Sequence, residues 1–299
     1  MRPEPPAVLN GLVISHLGQG LLIEDETGCL RLCATRRQLG PIAVGDRVRL
    51  SPQGSDQGRV ESIHARKSLL TRPAHGGKIR PVAANLDQVL VVVATEPEPD
   101  WLLVDQYAAS AEHRGLRFIL LANKIDQEEA GSRFEKPFET YQQMGYVCLR
   151  VSARSGTGIS DLRRVLEGKI SMLAGQSGVG KSSLTHALLP DRQIRTNELS
   201  LKAGLGRHTT TSATLFHLPG GGSLIDSPGV SVFGLAEMSL EQLAAGYVDF
   251  RAHLPQCRFS DCRHRDDLGC AVKGAVDQGL IHPERYRRFQ KLVEKMHLR

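Results

Sequence analysis

The sequence predicts a multidomain α/β protein: an OB-like N-terminal β-barrel, a central domain on a mixed, doubly wound sheet, and a helical C-terminal domain. Three observations predict it. Residues 1–65 hold short alternating apolar runs punctuated by glycines at 18, 20, 28, 45, 54 and 58, the pattern of a small all-β domain. From Leu86 the runs become continuously apolar and alternate with helical stretches, as βαβ units do. Near the C-terminus Cys257, Cys262, His264 and Cys270 crowd into one polar stretch. The expected boundaries are 1–65, a linker over 66–84, then 85–236 and 237–299.

The N-terminal segment shows strand-like runs at Gly11–Ser15, Gly20–Ile23, Cys29–Cys33 and Asp46–Leu50. A five-stranded OB barrel fits the size and often binds oligonucleotides. The segment contains no Phe, Tyr or Trp on which a base could stack, so a protein-binding β-domain remains the alternative. Residues 66–84 are basic and contain Gly and Pro, which reads as a connector able to touch phosphate.

In the central region the expected strands are Val89–Ala94, Phe118–Leu121, Tyr146–Leu149 and Ile170–Ala174. Asp100 is expected to cap a helix through Leu103, Tyr107 and Ala111. Thr214–Leu218 and Ser223–Asp226, joined by Pro219–Gly222, read as a hairpin that makes the sheet mixed at one edge. Toward the C-terminus, Tyr286, Phe289, Val293 and Met296 recur at helical spacing opposite a basic face, a stripe suited to docking on the protein.

Bulk properties narrow the function classes. With 299 residues, 40% hydrophobic and 23% charged, the chain reads as a soluble globular protein. No apolar run approaches bilayer-spanning length, and Met1–Pro6 lacks a signal-peptide core, so a cytoplasmic protein without a membrane partner is expected. The net charge of +6 suits a polyanionic partner. Cys29, Cys33 and Cys148 lie among apolar residues and read as small core hydrophobes.

The chemistry is concentrated in four motifs. Gly175-Gln176-Ser177-Gly178-Val179-Gly180-Lys181-Ser182 matches GxxxxGK[ST] between an expected strand and an expected helix. Its amides can face phosphates, Lys181 can reach the β- and γ-phosphates, and Ser182 can ligate Mg2+; Ser183 continues the loop. Asn123-Lys124-Ile125-Asp126 ends an apolar strand, where Asp126 can accept from the N1–H and exocyclic amine of guanine. Adenine offers no such pair and would leave a carboxylate unsatisfied. Asn123 is expected to brace the loop and the Lys124 stem to pack on the base. Val151-Ser152-Ala153-Arg154 matches the loop in which backbone amides, at Ser152 and Ala153, contact the guanine carbonyl. Asp226-Ser227-Pro228-Gly229 matches DxxG: Asp226 can hold magnesium through water and Gly229 can sense the γ-phosphate. Thr209, Thr210 or Thr211 supplies the switch threonine, with Thr210 the expected magnesium ligand.

Base loop, phosphate loop, switch threonine and DxxG occur in a permuted order, since GTPases ordinarily begin with the phosphate loop. A circularly permuted Ras-like P-loop GTPase results, because termini of compact domains are often close. Downstream, Cys257-x4-Cys262-x-His264-x5-Cys270 offers three thiolates and an imidazole, a donor set suited to one structural Zn2+ with no open position; free thiols or a redox pair are the alternatives. Arg251, Arg258, Arg263 and Arg265 flank it as either a phosphate-contacting rim or a solvated basic face.

The permuted order, GQSGVGKSS, GRHTTT, DSPG and the cysteine cluster together resemble the RsgA/YjeQ family of ribosome small-subunit-dependent GTPases. The resemblance spans essentially the whole chain. It implies a protein that binds GTP and GDP, contacts the small ribosomal subunit and its rRNA, and assists late maturation with subunit-stimulated GTP hydrolysis; a monomer is expected. Val230 stands where Ras-like enzymes place a water-orienting glutamine, so intrinsic hydrolysis should be slow. His208 is the candidate catalytic residue, a reading the resemblance strengthens. The competing readings are an ATP-using P-loop enzyme, disfavoured by Asn123–Asp126, an RNA-binding scaffold that holds GTP without turnover, and a GTPase with another RNA partner.

Overall fold

A computed structural model describes residues 8–18, 20–73, 79–127, 134–190, 213–226 and 238–297. In chain order the strands are β1 (Leu9–Leu17), β2 (Gly20–Asp25), β3 (Leu30–Thr35), β4 (Arg47–Gln53), β5 (Gln57–Ile63), β6 (Leu69–Pro73), β7 (Ile79–Ala84), β8 (Gln88–Ala94), β9 (Arg117–Asn123), β10 (Val147–Arg150), β11 (Ile170–Ala174), β12 (Thr214–His217) and β13 (Ser223–Asp226). The helices are α1 (Trp101–His113), α2 (Glu135–Gln143), α3 (Ile159–Leu166), α4 (Lys181–Leu188), α5 (Leu240–Gly246), α6 (Ala271–Asp277) and α7 (Pro283–His297). The chain separates into two compact units, one from residues 1–87, 163–173 and 182–230, the other from 88–162, 174–181 and 231–299.

In the first unit, β1 to β5 close into a barrel. β1 pairs antiparallel with both β2 and β4, β2 with β3, and β4 with β5, while β3 runs parallel to β5. Closure leaves no free edge in the ring. Alternation does the sorting: Val48 and Leu50 point inward and Arg47 and Arg49 outward, and Val13, Ile23, Cys33 and Val60 complete the core. Asp25 closes the turn between β2 and β3. One of its oxygens accepts from the Thr27 N–H, the Thr27 hydroxyl and the Cys29 N–H, and the other from Arg31 Nε at 2.6 Å. That turn corrects one expectation, because Cys29 is exposed; its amide is held by Asp25 while the side chain leaves the core. Cys33 is buried as expected and Cys148 is partly so.

The basic connector carries a hairpin, β6 with β7 antiparallel, fixed to the barrel. Arg66 forks onto buried Asp46 with two bonds of 2.7 Å, and Asn85 Nδ2 donates to the Gly45 carbonyl. The expected hairpin at the mixed edge is present: β12 pairs antiparallel with β13, and β13 runs parallel to β11. β12 also pairs with β1 at Ser15 and Thr214, whose hydroxyls lie 3.1 Å apart.

In the second unit, β8, β9 and β10 form parallel pairs, β9 central. β8 is buried along its whole length, the reason its run is uninterruptedly apolar. Asp100 caps α1 by accepting the Leu103 N–H. α5, α6 and α7 enclose an aromatic core of Tyr247, Phe250, Tyr286 and Phe289, with Leu243, Val272, Leu292 and Val293. The stripe of α7 docks there as its spacing predicts. The basic face does not hold in full, because Arg285 points into the protein and is 1% exposed. Among the described residues no helix is long and apolar enough to cross a membrane.

Candidate nucleotide site and metal cluster

The second unit brings the base loop, the serine-alanine loop and the phosphate loop together at the carboxyl ends of parallel strands, the position where α/β sheets bind ligands. Asn123 is the joint. Its buried side chain donates from Nδ2 to the Val179 carbonyl at 3.0 Å and accepts at Oδ1 from the Ala153 N–H at 3.1 Å. Three loops separated by up to 56 residues thereby share one amide. Gly180 leaves room for it: the residue has φ of 91°, and a Cβ there would lie 2.3 Å from Asn123 Nδ2.

Asp126 follows on an exposed turn. Ser152 donates its hydroxyl to the Asp126 carboxylate at 2.6 Å and accepts the Ser155 N–H at 3.0 Å, so it orients the carboxylate and its own loop together. That hydrogen bond is the main cause holding the Asp126 carboxyl below its ordinary value, keeping it an anion able to accept two donors. Lys124 adopts φ of 65° and its ammonium donates to the Glu96 carbonyl at 2.7 Å, laying its stem along the loop that follows β8.

In the phosphate loop Ser177 and Gly178 are exposed, whereas Gly175 and Val179 are buried. The Lys181 ammonium donates to the carbonyls of Gly175 and Gln176 at 2.8 and 2.5 Å. The Gln176 side chain turns away from the loop mouth, accepting the Asp100 N–H at 2.9 Å and donating to the Glu98 carbonyl at 3.1 Å. Ser182 and Ser183 stand exposed in the first turn of α4, and Asp226 ends β13. His208, Thr209, Thr210, Thr211, Gly229 and Val230 lie outside the described residues.

Beyond the helix cap at Asp100, the sequence gives no site role to residues 95–100, whose Glu96 and Glu98 carbonyls accept from Lys124 and Gln176 and whose Asp100 N–H donates to Gln176. Their position directly after a buried parallel strand was the available signal. Tyr107, an apolar position of the expected helix, is fully buried, and burial pushes its phenol up to about 12.

The C-terminal cluster also assembles. Ligand atoms of Cys257, Cys262, His264 and Cys270 all lie within 4.8 Å of one another. His264 Nδ1 is 3.6 Å from Cys257 Sγ and 3.8 Å from Cys270 Sγ. A tetrahedral zinc with ordinary bond lengths separates its sulfur and nitrogen ligands by about 3.6 Å, so the donor set fits. His264 has φ of 56°, which aims its ring at the thiols. The Lys273 N–H donates to Cys270 Sγ at 3.4 Å, and Tyr286 donates to the His264 and Arg265 carbonyls at 2.9 and 3.0 Å. Burial pushes the Cys262 thiol up to about 12, raises Cys270 and lowers His264, so metal loading would release thiol protons. Of the flanking arginines, Arg251 pairs with Glu112 and Arg265 with Glu294, while Arg258 lies over the half-exposed Phe259 ring.

A β-barrel, a mixed α/β sheet and a guanine-type loop preceding the phosphate loop define a circularly permuted P-loop GTPase. A family model described as RsgA GTPase matches residues 63–236. Small ribosomal subunit biogenesis GTPase RsgA of Photorhabdus laumondii subsp. laumondii is 42% identical over 296 residues, covering 96% of this chain and 84% of that protein. Its namesake in Azotobacter vinelandii is 43% identical over 293 residues, 96% of this chain and 85% of that one. The crystal structure of YjeQ from Thermotoga maritima superposes with a TM-score of 0.81 at 34% identity, covering 98% of this chain and all of that one. YloQ, described as a circularly permuted GTPase, shares the fold with a TM-score of 0.76 at 24% identity, covering 99% of this chain and 98% of that one. The chain belongs to the RsgA GTPase family and is a GTP-hydrolysing enzyme.

Proposed function

We propose that this GTPase assists late maturation of the small ribosomal subunit, binding the subunit through its rRNA and hydrolysing GTP under its stimulation. The observation that carries the nucleotide assignment is Asn123, which ties the base loop, the Ala153 amide and the Val179 carbonyl into one site. In this reading Asp126 accepts from guanine, Lys124 flanks the base, and the amides of Ser152 and Ala153 face its carbonyl. The loop from Gly175 to Ser183 receives the phosphates. Ser182, Thr210 and Asp226 would hold Mg2+, which neutralises phosphate charge when bound. His208 would orient or deprotonate the attacking water, and Gly229 and Thr209 would respond to the γ-phosphate.

Cys257, Cys262, His264 and Cys270 would hold one structural Zn2+. The printed names of the relatives support the ribosomal partner, as does the net charge of +6. The same reading places a monomeric enzyme in the cytoplasm, where thiols stay reduced.

Multiple-turnover phosphate release from GTP, with and without purified small subunits, tests the proposal. Stimulation by small but not large subunits is expected, with ATP failing to compete. Equal rates with and without subunits would refute the partner. An unchanged stimulated rate in His208→Ala would refute the catalytic assignment.

A further inference from the structure

Strand β13 is four residues long and ends on Asp226. Its parallel pairing with β11 joins Ile170 to Ser223, Ser171 to Leu224 and Met172 to Ile225, stopping short of Asp226. Across the hairpin Asp226 pairs with Thr214 of β12, which is also four residues long. Thr214 pairs in turn with Ser15 of the barrel strand β1. Ser15, Thr214 and Asp226 therefore form one row across three adjacent strands, and directly opposed residues share a face of the sheet.

Side chains bond the row at its barrel end. Ser15 donates its hydroxyl to the Ala213 carbonyl at 3.2 Å, and its oxygen lies 3.1 Å from the Thr214 hydroxyl. A hydroxyl has one proton, so Thr214 is the donor of the second bond. Ser15 and Thr214 are both buried, so water replaces these bonds poorly. A second contact holds the turn end of the hairpin: His217 Nε2 lies 2.6 Å from Glu24 Oε2 of β2, and its Nδ1 3.1 Å from Ser223 Oγ. Alternation puts Thr214 and His217 on opposite faces of β12. The barrel thus grips the hairpin at both ends and on both faces.

A two-stranded hairpin this short is marginal alone, and the end carrying Asp226 lies beyond the β11 pairs that steady the rest. We propose that Ser15, acting through Thr214, is a positioning residue for Asp226, so that the barrel sets how firmly Mg2+ is held with nucleotide. This rests on reading Asp226 as the magnesium-holding residue of DxxG. A partner that bends β1 would alter magnesium affinity without touching the nucleotide.

The test uses the full-length protein and a fluorescent, non-hydrolysable GTP analogue. The quantity read is the Mg2+ concentration giving half the rise in nucleotide affinity, with affinity in EDTA and melting temperature in parallel. Ser15→Ala and Thr214→Val each remove one hydroxyl; this midpoint should rise about 3–10-fold while affinity in EDTA stays within about twofold of wild type. Thr214→Ser keeps the hydroxyl and should retain the wild-type midpoint. The double variant should shift no further than about twofold beyond the larger single shift, because both changes break the same bond. Glu24→Ala loosens only the exposed contact at the turn end and should shift the midpoint by less than about twofold. Asp226→Asn checks the magnesium reading and should raise the midpoint at least about 10-fold.

An unchanged midpoint in either Ser15→Ala or Thr214→Val, beside a shift in Asp226→Asn, would overturn the proposal and leave the site reading intact. Affinity in EDTA that falls as far as affinity with Mg2+, or an equal shift in Glu24→Ala, would mean general loosening and overturn it too. An unchanged midpoint in Asp226→Asn would overturn the magnesium reading and this inference together.

Discussion

Replacing Asn123 by alanine removes one side chain and orphans two backbone groups. The Val179 carbonyl loses its donor at 3.0 Å and the Ala153 N–H loses its acceptor at 3.1 Å. Asn123 is buried, so water reaches the gap poorly, and each orphaned group costs about 1–3 kcal/mol. Taking the lower half of that range for a loop that relaxes, the pair amounts to about 2–4 kcal/mol. If that cost falls on the nucleotide-competent arrangement, GDP and GTP affinity drops by about 30- to 900-fold. Asn123→Asp refines the test. A carboxylate still accepts from Ala153 but sets a negative oxygen against the Val179 carbonyl, so affinity should fall at least as far as in alanine. Titration of a fluorescent guanine nucleotide, with thermal unfolding in parallel, separates site damage from unfolding. Affinity within about threefold of wild type in both variants would refute the claim that this amide organises the site.

Two further outcomes are expected. Purified protein should carry one zinc per chain by metal analysis. Cys270→Ser should lose it and lower the melting temperature, with a folding cost of about 2–4 kcal/mol or more; a variant that retains metal and stability would refute the ligand set. Burial opposes the Asp25 carboxylate, but hydrogen bonds from Thr27, Arg31 and Cys29 outweigh it and bring its pKa to about 2. A depressed folded-state value means the contribution is complete above the unfolded value of about 3.9 and fades as pH falls toward 2. Asp25→Asn should speed hydrogen exchange of the β2 and β3 amides by about 5- to 100-fold above pH 4, with the gap to wild type narrowing below it; a gap independent of pH would refute this account.

Much of the candidate site is legible because phosphate and guanine recognition impose residue types at fixed spacing. Asn123, Asp126, Ser152 and the glycines of the phosphate loop carry their reasons locally. The barrel was legible from its alternation, and the β12–β13 hairpin from its glycine-rich turn. The pairing of Arg285 and Arg288 with Asp105 of α1 was hidden. Arg285 and Arg288 sit in a run of basic residues that reads as a solvated face, and their partner Asp105 is 180 and 183 residues away. Arg285 in fact lies within the apolar stripe, between the angular positions of Leu292 and Phe289, both buried. A charge can enter such a stripe only if the fold supplies a counter-charge, and spacing alone does not encode one. The 66–84 hairpin escaped notice for a similar reason, since Asp46 and Gly45 of the barrel fix its position from outside the segment.

The pairing of β1 with β12 bears on how this chain could have been assembled in evolution and how it can be cut in the laboratory. The barrel's first strand meets the outer side of β12 at its Thr214 end, where Ser15 pairs with Thr214. A fragment starting after the barrel would lose that pairing and bare the Thr214 end of the strand's edge. The barrel is therefore a poor candidate for a detachable RNA-binding module. Gain or loss of such a segment would have required the sheet edge to be capped at the same step. Families of this architecture should vary more readily in barrel loops than in whether a barrel is present.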